Sequence, residues 1–480
     1  LSLAACAMNP FLGSRATYQM PTSPENSDHG FSVDDELMPI SQDCFEWRDV
    51  WPGDGPAVSF KVADELGVNN VSTQIFSKNL QLDANLDGVL CNETLDAFPP
   101  PPLDVNLPND RQGLNLCQLS GGGLGASFPR PKGYLSALQE INAVMLFVEF
   151  PNFPLDEDLQ VEARSYYEKF ASFMRVQSRG KQTWNFTVPQ QVFKISRDPR
   201  GYGANFSSEN FGAPRFDLYL QDAVTAADSA VDFSMFDVVY VIPPRKIGST
   251  ISYGPSLIFG DGEINSKEGS IRAAATAGDD SRLQGNSEPW QWLAHETGHL
   301  YGLMHPLNEQ DNFDEYGREL SVDNRTELWD LMSWMRSPSP DFWGWSRFWI
   351  GWLGEDEVFC VKNDNLDTGV DLHLAFADTI PMGEKLVLAI VRTGETTAVA
   401  IEARKPVELP FDGTQARVLA YTVDASKDDR EGQIQLIRAN DNRYQGYLDA
   451  SMGVGNVVSF EGLKIEFVSQ SNKGAVVRIN

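Results

Sequence analysis

The sequence predicts a layered α/β domain followed by a separate all-β domain that resembles a sandwich. Two nearly continuous apolar runs, 141–150 (INAVMLFVEF) and 236–242 (FDVVYVI), flank two segments with helical spacing at 156–176 and 214–228. Such apolar runs are typical of strands covered on both faces, and the strand–helix–strand order favours a twisted mixed sheet. After residue 355 the chain changes to short β-rich runs separated by Gly, Asp and Asn, which indicate the second domain.

Two further candidate strands lie at 251–259 and 271–276, ahead of the segment that carries the candidate site. We therefore divide the chain into an N-terminal region at 1–130, a central domain at 131–355 and a C-terminal β domain at 356–480. The first region is polar and rich in Asp and Asn. It contains a Pro-rich run and a Gly-Gly-Gly run, which together predict a linker with a stiff part and a flexible part.

Charge and hydropathy argue against two classes of partner. Asp and Glu number 67 against 38 Lys and Arg, which gives a net charge of −29. Nucleic-acid binding needs a basic face opposite the phosphates, so we expect no nucleic-acid partner. No apolar run reaches the ~18 residues of a membrane-spanning helix, so we expect no transmembrane segment. The acidic composition fits either binding of cations such as Ca²⁺ or simply high solubility.

The cysteines favour export from the cell. Cys6 ends the run Leu-Ser-Leu-Ala-Ala-Cys, which is similar to the end of a bacterial lipoprotein signal, although so short a match also arises by chance. Setting Cys6 apart leaves Cys44, Cys91, Cys117 and Cys360, which can form two disulfides in three pairings. The chain has no Cys-x-x-Cys pair, which argues against a zinc ribbon or a thioredoxin-like site. These features predict a secreted, extracellular protein or a cell-envelope lipoprotein anchored at Cys6.

The segment HETGHLYGLMH supplies the candidate metal site through His295, Glu296, His299, Gly302 and His305. Residues four apart on a helix differ by ~40° in azimuth and ~6 Å in rise, so the first two histidines can face one ion. Gly302 allows the backbone to leave the helix in a left-handed conformation, which turns His305 back as a third ligand. Three histidine nitrogens with one open position are the arrangement of catalytic zinc, and the carboxylate of Glu296 can then address a water molecule there.

The histidine motif has an alternative interpretation, and so does a methionine downstream of it. Histidines with this spacing can also be incidental core residues, but three of only five histidines in the chain fall within eleven residues. Downstream, Met332 in the run WDLMSW occupies the place of the Met-turn that lies below zinc in metzincins. The alternative for Met332 is an ordinary buried methionine that fills a gap in the core.

The zinc motif, the run WDLMSW and the later runs 342–345 (FWGW) and 351–354 (GWLG) resemble the immune inhibitor A family of bacterial secreted metallopeptidases. The likeness covers about residues 135–480. It implies a metzincin-like α/β zincin domain with an active-site helix, zinc-dependent endopeptidase activity and a C-terminal β domain. The chain departs from that family at His305, where members often carry Asp, so its third ligand is closer to the general metzincin pattern.

A second candidate metal site lies in the N-terminal region at Asp83, Asn85 and Asp87, followed by glycine. Oxygen ligands at alternate positions are typical of a loop that binds Ca²⁺. The twelfth position of such a loop should be a bidentate Glu, but here it is Thr94, and Glu93 lies one place early. The alternative is an Asp- and Asn-rich turn stabilised by its own side chains.

Together these features predict a secreted endopeptidase for protein or peptide substrates, in which zinc activates water and Glu296 is the general base. We expect three histidine nitrogens and one water on the metal, because the indole of Trp334 has no lone pair to offer. The strand at 271–276 is expected to be an unpaired edge that binds an extended peptide. The alternative function is a non-catalytic, zinc-containing extracellular binding or adhesion protein. The sequence leaves open whether residues 1–130 form an inhibitory propeptide.

Overall fold

The computed structural model describes residues 113–204, 214–260, 262–282, 288–306, 326, 329–333, 335, 341–366, 369–377, 386–409, 413–438 and 450–480, and four short strands nearer the N-terminus. The chain divides into one compact unit at 13–104 and another made of 1–12 and 105–480. The predicted calcium ligands Asp83, Asn85 and Asp87 lie outside the described residues, as does Cys6.

The unit at 13–104 contains two short antiparallel strand pairs. In one, β1 (Phe45–Glu46) pairs with β4 (Val89–Leu90), and Phe45 is aligned with Leu90. In the other, β2 (Phe60–Lys61) pairs with β3 (Ser72–Thr73).

A six-stranded mixed sheet forms the centre of the second unit. Its strand order is β6-β5-β8-β10-β9, and β7 also pairs with β5. All pairings are parallel except that of β10 with β9, which is antiparallel. The strands are β5 (Glu140–Glu149), β6 (Thr183–Thr187), β7 (Phe193–Lys194), β8 (Val238–Ile242), β9 (Ser256–Ile258) and β10 (Ala273–Thr276). The predicted mixed α/β character is therefore confirmed.

Helices cover both faces of this sheet because successive side chains of a strand point to opposite sides. Along β5, Ala143 and Met145 pack into the core with α1 and α3, whereas Val144 and Leu146 pack into the core with α2. The side chain of Asp158 caps the first turn of α1, and Pro289 begins α3 inside a capping box. The helices are α1 (Leu159–Gln177), α2 (Phe216–Ala227), α3 (Pro289–Leu300) and α4 (Gly344–Trp349).

Two further sheets follow, as the β-rich texture after residue 355 predicts. Their strand orders are β11-β13-β14-β15-β16 and β12-β19-β18-β17, and side chains from both sheets share one apolar core. This arrangement is consistent with the predicted sandwich. The strands are β11 (Val358–Lys362), β12 (Val370–Ala375), β13 (Leu388–Arg392), β14 (Thr397–Leu409), β15 (Gly413–Asp424), β16 (Ile434–Leu436), β17 (Val457–Phe460), β18 (Leu463–Gln470) and β19 (Gly474–Ile479).

The segment before β5 is attached to the C-terminal sheets. Cys117 forms a disulfide with Cys360 of β11. The Gly-Gly-Gly run, which the sequence predicts to be a flexible linker, instead lies against the backbone that follows β15. A Cβ atom on Gly123 would come within 2.0 Å of the carbonyl oxygen of Lys427, so the absence of a side chain permits a close backbone approach.

None of the helices in the described parts of the chain has the length and apolar character that crossing a membrane requires.

Candidate metal centre

The structure brings the three predicted histidine ligands together. His295 and His299 lie on α3, and His305 lies in the segment that follows it. One ring nitrogen from each histidine lies within 4.8 Å of the other two, and all three residues are buried. Gly302 ends the helix with a φ of +88°, so the chain reverses where the sequence predicts a left-handed glycine.

Hydrogen bonds fix the tautomers of the two helical histidines. Nδ1 of His295 lies 2.9 Å from the carbonyl oxygen of Leu331, and Nδ1 of His299 lies 2.7 Å from that of Leu303. A carbonyl oxygen only accepts hydrogen bonds, so both Nδ1 atoms carry the proton and both Nε2 atoms keep a free lone pair. These Nε2 atoms are 3.1 Å apart. Two lone pairs at this separation repel each other unless a cation binds them both.

The third histidine is held by a residue far away in the sequence. Nδ1 of His305 lies 3.0 Å from Oδ1 of Asp429, and the backbone N–H of His305 donates to the same oxygen at 2.8 Å. Nε2 of His305 is buried and has no hydrogen-bond partner among the described residues. A buried nitrogen without a partner is costly, and a metal ion beside the other two Nε2 atoms would satisfy it. The donor set therefore fits a metal.

The protonation states of the histidines also suit metal binding. Burial lowers the pKa of His295 and His299 to about 3, and that of His305 to about 4. Repulsion among the neighbouring imidazoles lowers these pKa values further. All three rings are consequently neutral near pH 7, which is the form that ligates a metal.

Glu296 follows the first histidine on α3 and is only 3% exposed. Its Oε2 accepts a hydrogen bond from the hydroxyl of Ser256 on β9 at 2.7 Å, and that hydroxyl also lies 2.6 Å from the backbone carbonyl oxygen of Glu296. Burial raises the pKa of Glu296 to about 8, against the lowering effect of the Ser256 hydrogen bond. A cation bound nearby would favour the carboxylate. Glu296 thus has the environment of a group that exchanges a proton near neutral pH.

Met332 packs directly against the helix that carries two of the ligands. A Cβ atom on Gly298 would lie 2.3 Å from the sulfur of Met332, so the absence of a side chain at Gly298 makes room for the thioether. The neighbouring Leu331 supplies the carbonyl that accepts from His295. The segment at 329–333 therefore packs against α3 near His295 and Gly298. Trp334 lies outside the described residues.

The prediction that the strand at 271–276 lies at the edge of the sheet is wrong. β10, which corresponds to the predicted 271–276, lies inside the sheet between β8 and β9. β9 is the terminal strand in the order, and its first residue, Ser256, contacts Glu296. The edge next to the candidate site is therefore β9.

Two residues of the site were missed by sequence reasoning. Ser256 lies 40 residues before Glu296, and Asp429 lies 124 residues after His305. Neither belongs to a spacing pattern that includes the histidines, because both reach the site through tertiary contacts.

Comparison of this chain with protein-family models and with curated proteins identifies no match. The chemistry of the site is thus the basis for any functional conclusion.

Proposed function

We propose that the chain is a zinc-dependent endopeptidase in which His295, His299 and His305 hold the metal and Glu296 is the general base. The observation that carries the proposal is the convergence of three buried, neutral imidazoles, together with a buried carboxyl group on Glu296, the residue that follows His295 on α3. Three histidine nitrogens with an open position are typical of catalytic zinc, whereas Mg²⁺ and Ca²⁺ prefer oxygen ligands.

Zinc, Glu296 and Ser256 have separate roles in the proposed reaction. When bound, zinc polarises the scissile carbonyl and lowers the pKa of a water molecule. Glu296 accepts a proton from the attacking water and passes it to the leaving amine, so it acts first as base and then as acid. Ser256 holds one carboxylate oxygen of Glu296 and leaves the other available for this proton transfer.

An extended peptide fits the edge of the mixed sheet. β9 hydrogen-bonds with β10 on one side, and no other described strand pairs with its second side. A peptide that pairs with this edge would pass next to Ser256 and therefore next to Glu296. The antiparallel edge strand, the helix with the histidine motif and the support from Met332 together favour a metzincin-like zincin domain.

The proposed extracellular location is supported by the Cys117–Cys360 disulfide, because such bonds persist mainly in oxidising compartments. The alternative function, a zinc-containing binding or adhesion protein without turnover, does not account for Glu296. A structural zinc site has no need of a buried carboxyl group that bonds none of its ligands.

The test replaces the general base and leaves the ligands intact. Glu296→Gln should lose about 10²-fold or more in peptide hydrolysis, because general-base catalysis is typically worth that much, while bound zinc stays at the wild-type level. Glu355→Gln makes the same chemical change at an exposed residue and should leave both quantities unchanged.

Hydrolysis of a quenched peptide library and zinc content by mass spectrometry are measured on all three proteins. Glu296→Gln activity within about tenfold of wild type would remove Glu296 from the mechanism. A wild-type protein that binds zinc but cleaves nothing would favour the binding or adhesion protein.

A further inference from the structure

The turn between β15 and β16, residues 425–433, holds the third histidine through its backbone and its ring. Oδ1 of Asp429 accepts from both the backbone N–H and Nδ1 of His305, at 2.8 and 3.0 Å. The next backbone N–H, that of Arg430, donates to the carbonyl oxygen of His305 at 3.0 Å. Two consecutive residues of the C-terminal β region thus make three hydrogen bonds to one residue of the metal centre.

Arg430, which makes the third of these hydrogen bonds, has an unusual backbone conformation. Its φ is +61°, in the left-handed region that side-chain-bearing residues rarely occupy. Unfavourable backbone conformations of this kind are retained where surrounding contacts require them, and they concentrate at functional sites. Here the conformation occurs at the residue that directly follows Asp429 and whose own N–H donates to His305. The guanidinium Nε of Arg430 also lies 3.5 Å from Oδ2 of Asp429, on the oxygen that His305 does not use.

Further hydrogen bonds fix the position of the turn at 425–433. The backbone N–H of Leu124 donates to Oδ1 of Asp428 at 3.0 Å, and the side-chain amide of Gln433 donates to the carbonyl of Lys427 at 2.7 Å. The N–H of Gly123 donates to the carbonyl of Ala425 at 2.8 Å. The bonds from Gly123 and Leu124 connect the turn to the segment before β5, and the bond between Gln433 and Lys427 lies within the turn. Together they hold the turn that carries Asp429 in place.

We propose that Asp429 is a positioning residue of the metal centre, which orients the imidazole of His305 and keeps its proton on Nδ1. The proposal rests on the metal site of the proposed function and extends it to the C-terminal β region. A carboxylate that accepts from the far nitrogen of a ligating histidine fixes the tautomer and makes the ligand more basic, and loss of such a partner costs about 10- to 100-fold in metal affinity. The contact with Asp429 thereby keeps Nε2 of His305 directed towards the other two histidines.

The chain offers a series of variants that separates this role from general stability. Asp429→Ala removes both the charge and the acceptor, whereas Asp429→Asn removes the charge and keeps an acceptor oxygen. Asp428→Asn is the matched control, because it removes the adjacent charge on the same turn and keeps the acceptor oxygen for the N–H of Leu124. Zinc affinity is measured by competition with a chromophoric chelator, and the visible spectrum is recorded after loading with Co²⁺.

Asp429→Ala should bind zinc about 10- to 100-fold more weakly and change the Co²⁺ absorption bands, because the third nitrogen is no longer fixed. Asp429→Asn should lose less affinity, and Asp428→Asn should match wild type in both measurements. If Asp429→Ala does not fold, Asp429→Asn still tests the proposal through its affinity and spectrum.

Equal zinc affinity and spectra for wild type and the Asp429 variants would overturn this proposal and leave the zinc site standing. An equal loss in Asp428→Asn would overturn it as well, since the effect would then belong to the turn and not to the ligand contact. A wild-type protein that binds neither zinc nor Co²⁺ would instead overturn the metal site, and this proposal with it.

Discussion

Replacing Gly298 with Ala tests how closely Met332 packs against α3, the helix that carries His295 and His299. In an ordinary helix interior this change stabilises a protein by about 0.5–1 kcal/mol, because glycine is a poor helix former. At this position the new Cβ would lie 2.3 Å from the Met332 sulfur and 3.1 Å from both Met332 Cε and Phe342 Cε1. Carbon atoms normally approach to ~3.5–4.0 Å, so the closest contact is too short by more than ~1 Å.

The neighbours have little room to move away. Met332 is 1% exposed and Phe342 is fully buried, and both belong to the core that contains α1 and α3. Overpacking of a well-filled core typically costs about 1–3 kcal/mol, and a contact this short belongs in the upper half of that range. After subtraction of the gain in helix propensity, we expect a net destabilisation of about 1–2.5 kcal/mol. With ~2–4 °C per kcal/mol for a domain of this size, Tm should fall by about 2–10 °C.

A double-mutant cycle isolates the contact. Met332→Ala alone should destabilise by about 2–5 kcal/mol because it leaves a cavity. In the double variant the new methyl group of Gly298→Ala enters that space, so the combined loss should be smaller than the two single losses added together. Thermal unfolding of the four proteins provides the measurement. A higher Tm for Gly298→Ala than for wild type, or strict additivity in the double variant, would refute the packing argument.

Two further predictions concern the pH dependence of zinc binding and the pairing of the remaining cysteines. Burial holds the pKa values of the three ligand histidines at about 3 to 4, so protons compete with zinc only when the pH falls towards those values. Apparent zinc affinity should therefore be flat from pH 8 to about 5 and fall below about 4; a decline that begins near the ordinary imidazole pKa of 6.5 would contradict this. Because Cys117 bonds Cys360, the second predicted disulfide should join Cys44 and Cys91, which directly flank the antiparallel pair β1 and β4. Non-reducing peptide mapping should find this bridge, and free thiols at both positions would contradict it.

The elements that the sequence places well are those with a strong local pattern. The apolar run at 141–150 becomes β5 at Glu140–Glu149, and the helical spacing at 156–176 becomes α1 at Leu159–Gln177. Both have clear ends, since Asp158 caps the helix and the strand begins and ends with glutamate, Glu140 and Glu149. The histidine motif is equally local, because the helix and the left-handed Gly302 bring its three histidines to the same side of the chain.

Strand order and hydrogen-bond partners depend on contacts between distant segments, so the local pattern does not determine them. The predicted strand at 251–259 divides into the end of a 3₁₀ helix at Arg245–Ile251 and the short strand β9. β10 consists mainly of alanine, AAAT, which gives little indication of whether it lies at an edge or inside the sheet. The sequence-based choice of β10 as the edge strand was wrong for this reason.

The candidate metal centre depends both on a local sequence motif and on contacts between distant segments. The identities of the three ligands are fixed within eleven residues of sequence, but each Nδ1 proton is held by an acceptor of different origin. His299 uses the nearby Leu303, His295 uses Leu331 after a gap of 36 residues, and His305 uses Asp429 after 124. Because the tautomer decides which nitrogen is free, the ligand motif alone does not produce a competent site. The Met332 segment and the β15–β16 turn must both be in place before all three Nε2 atoms face a common point.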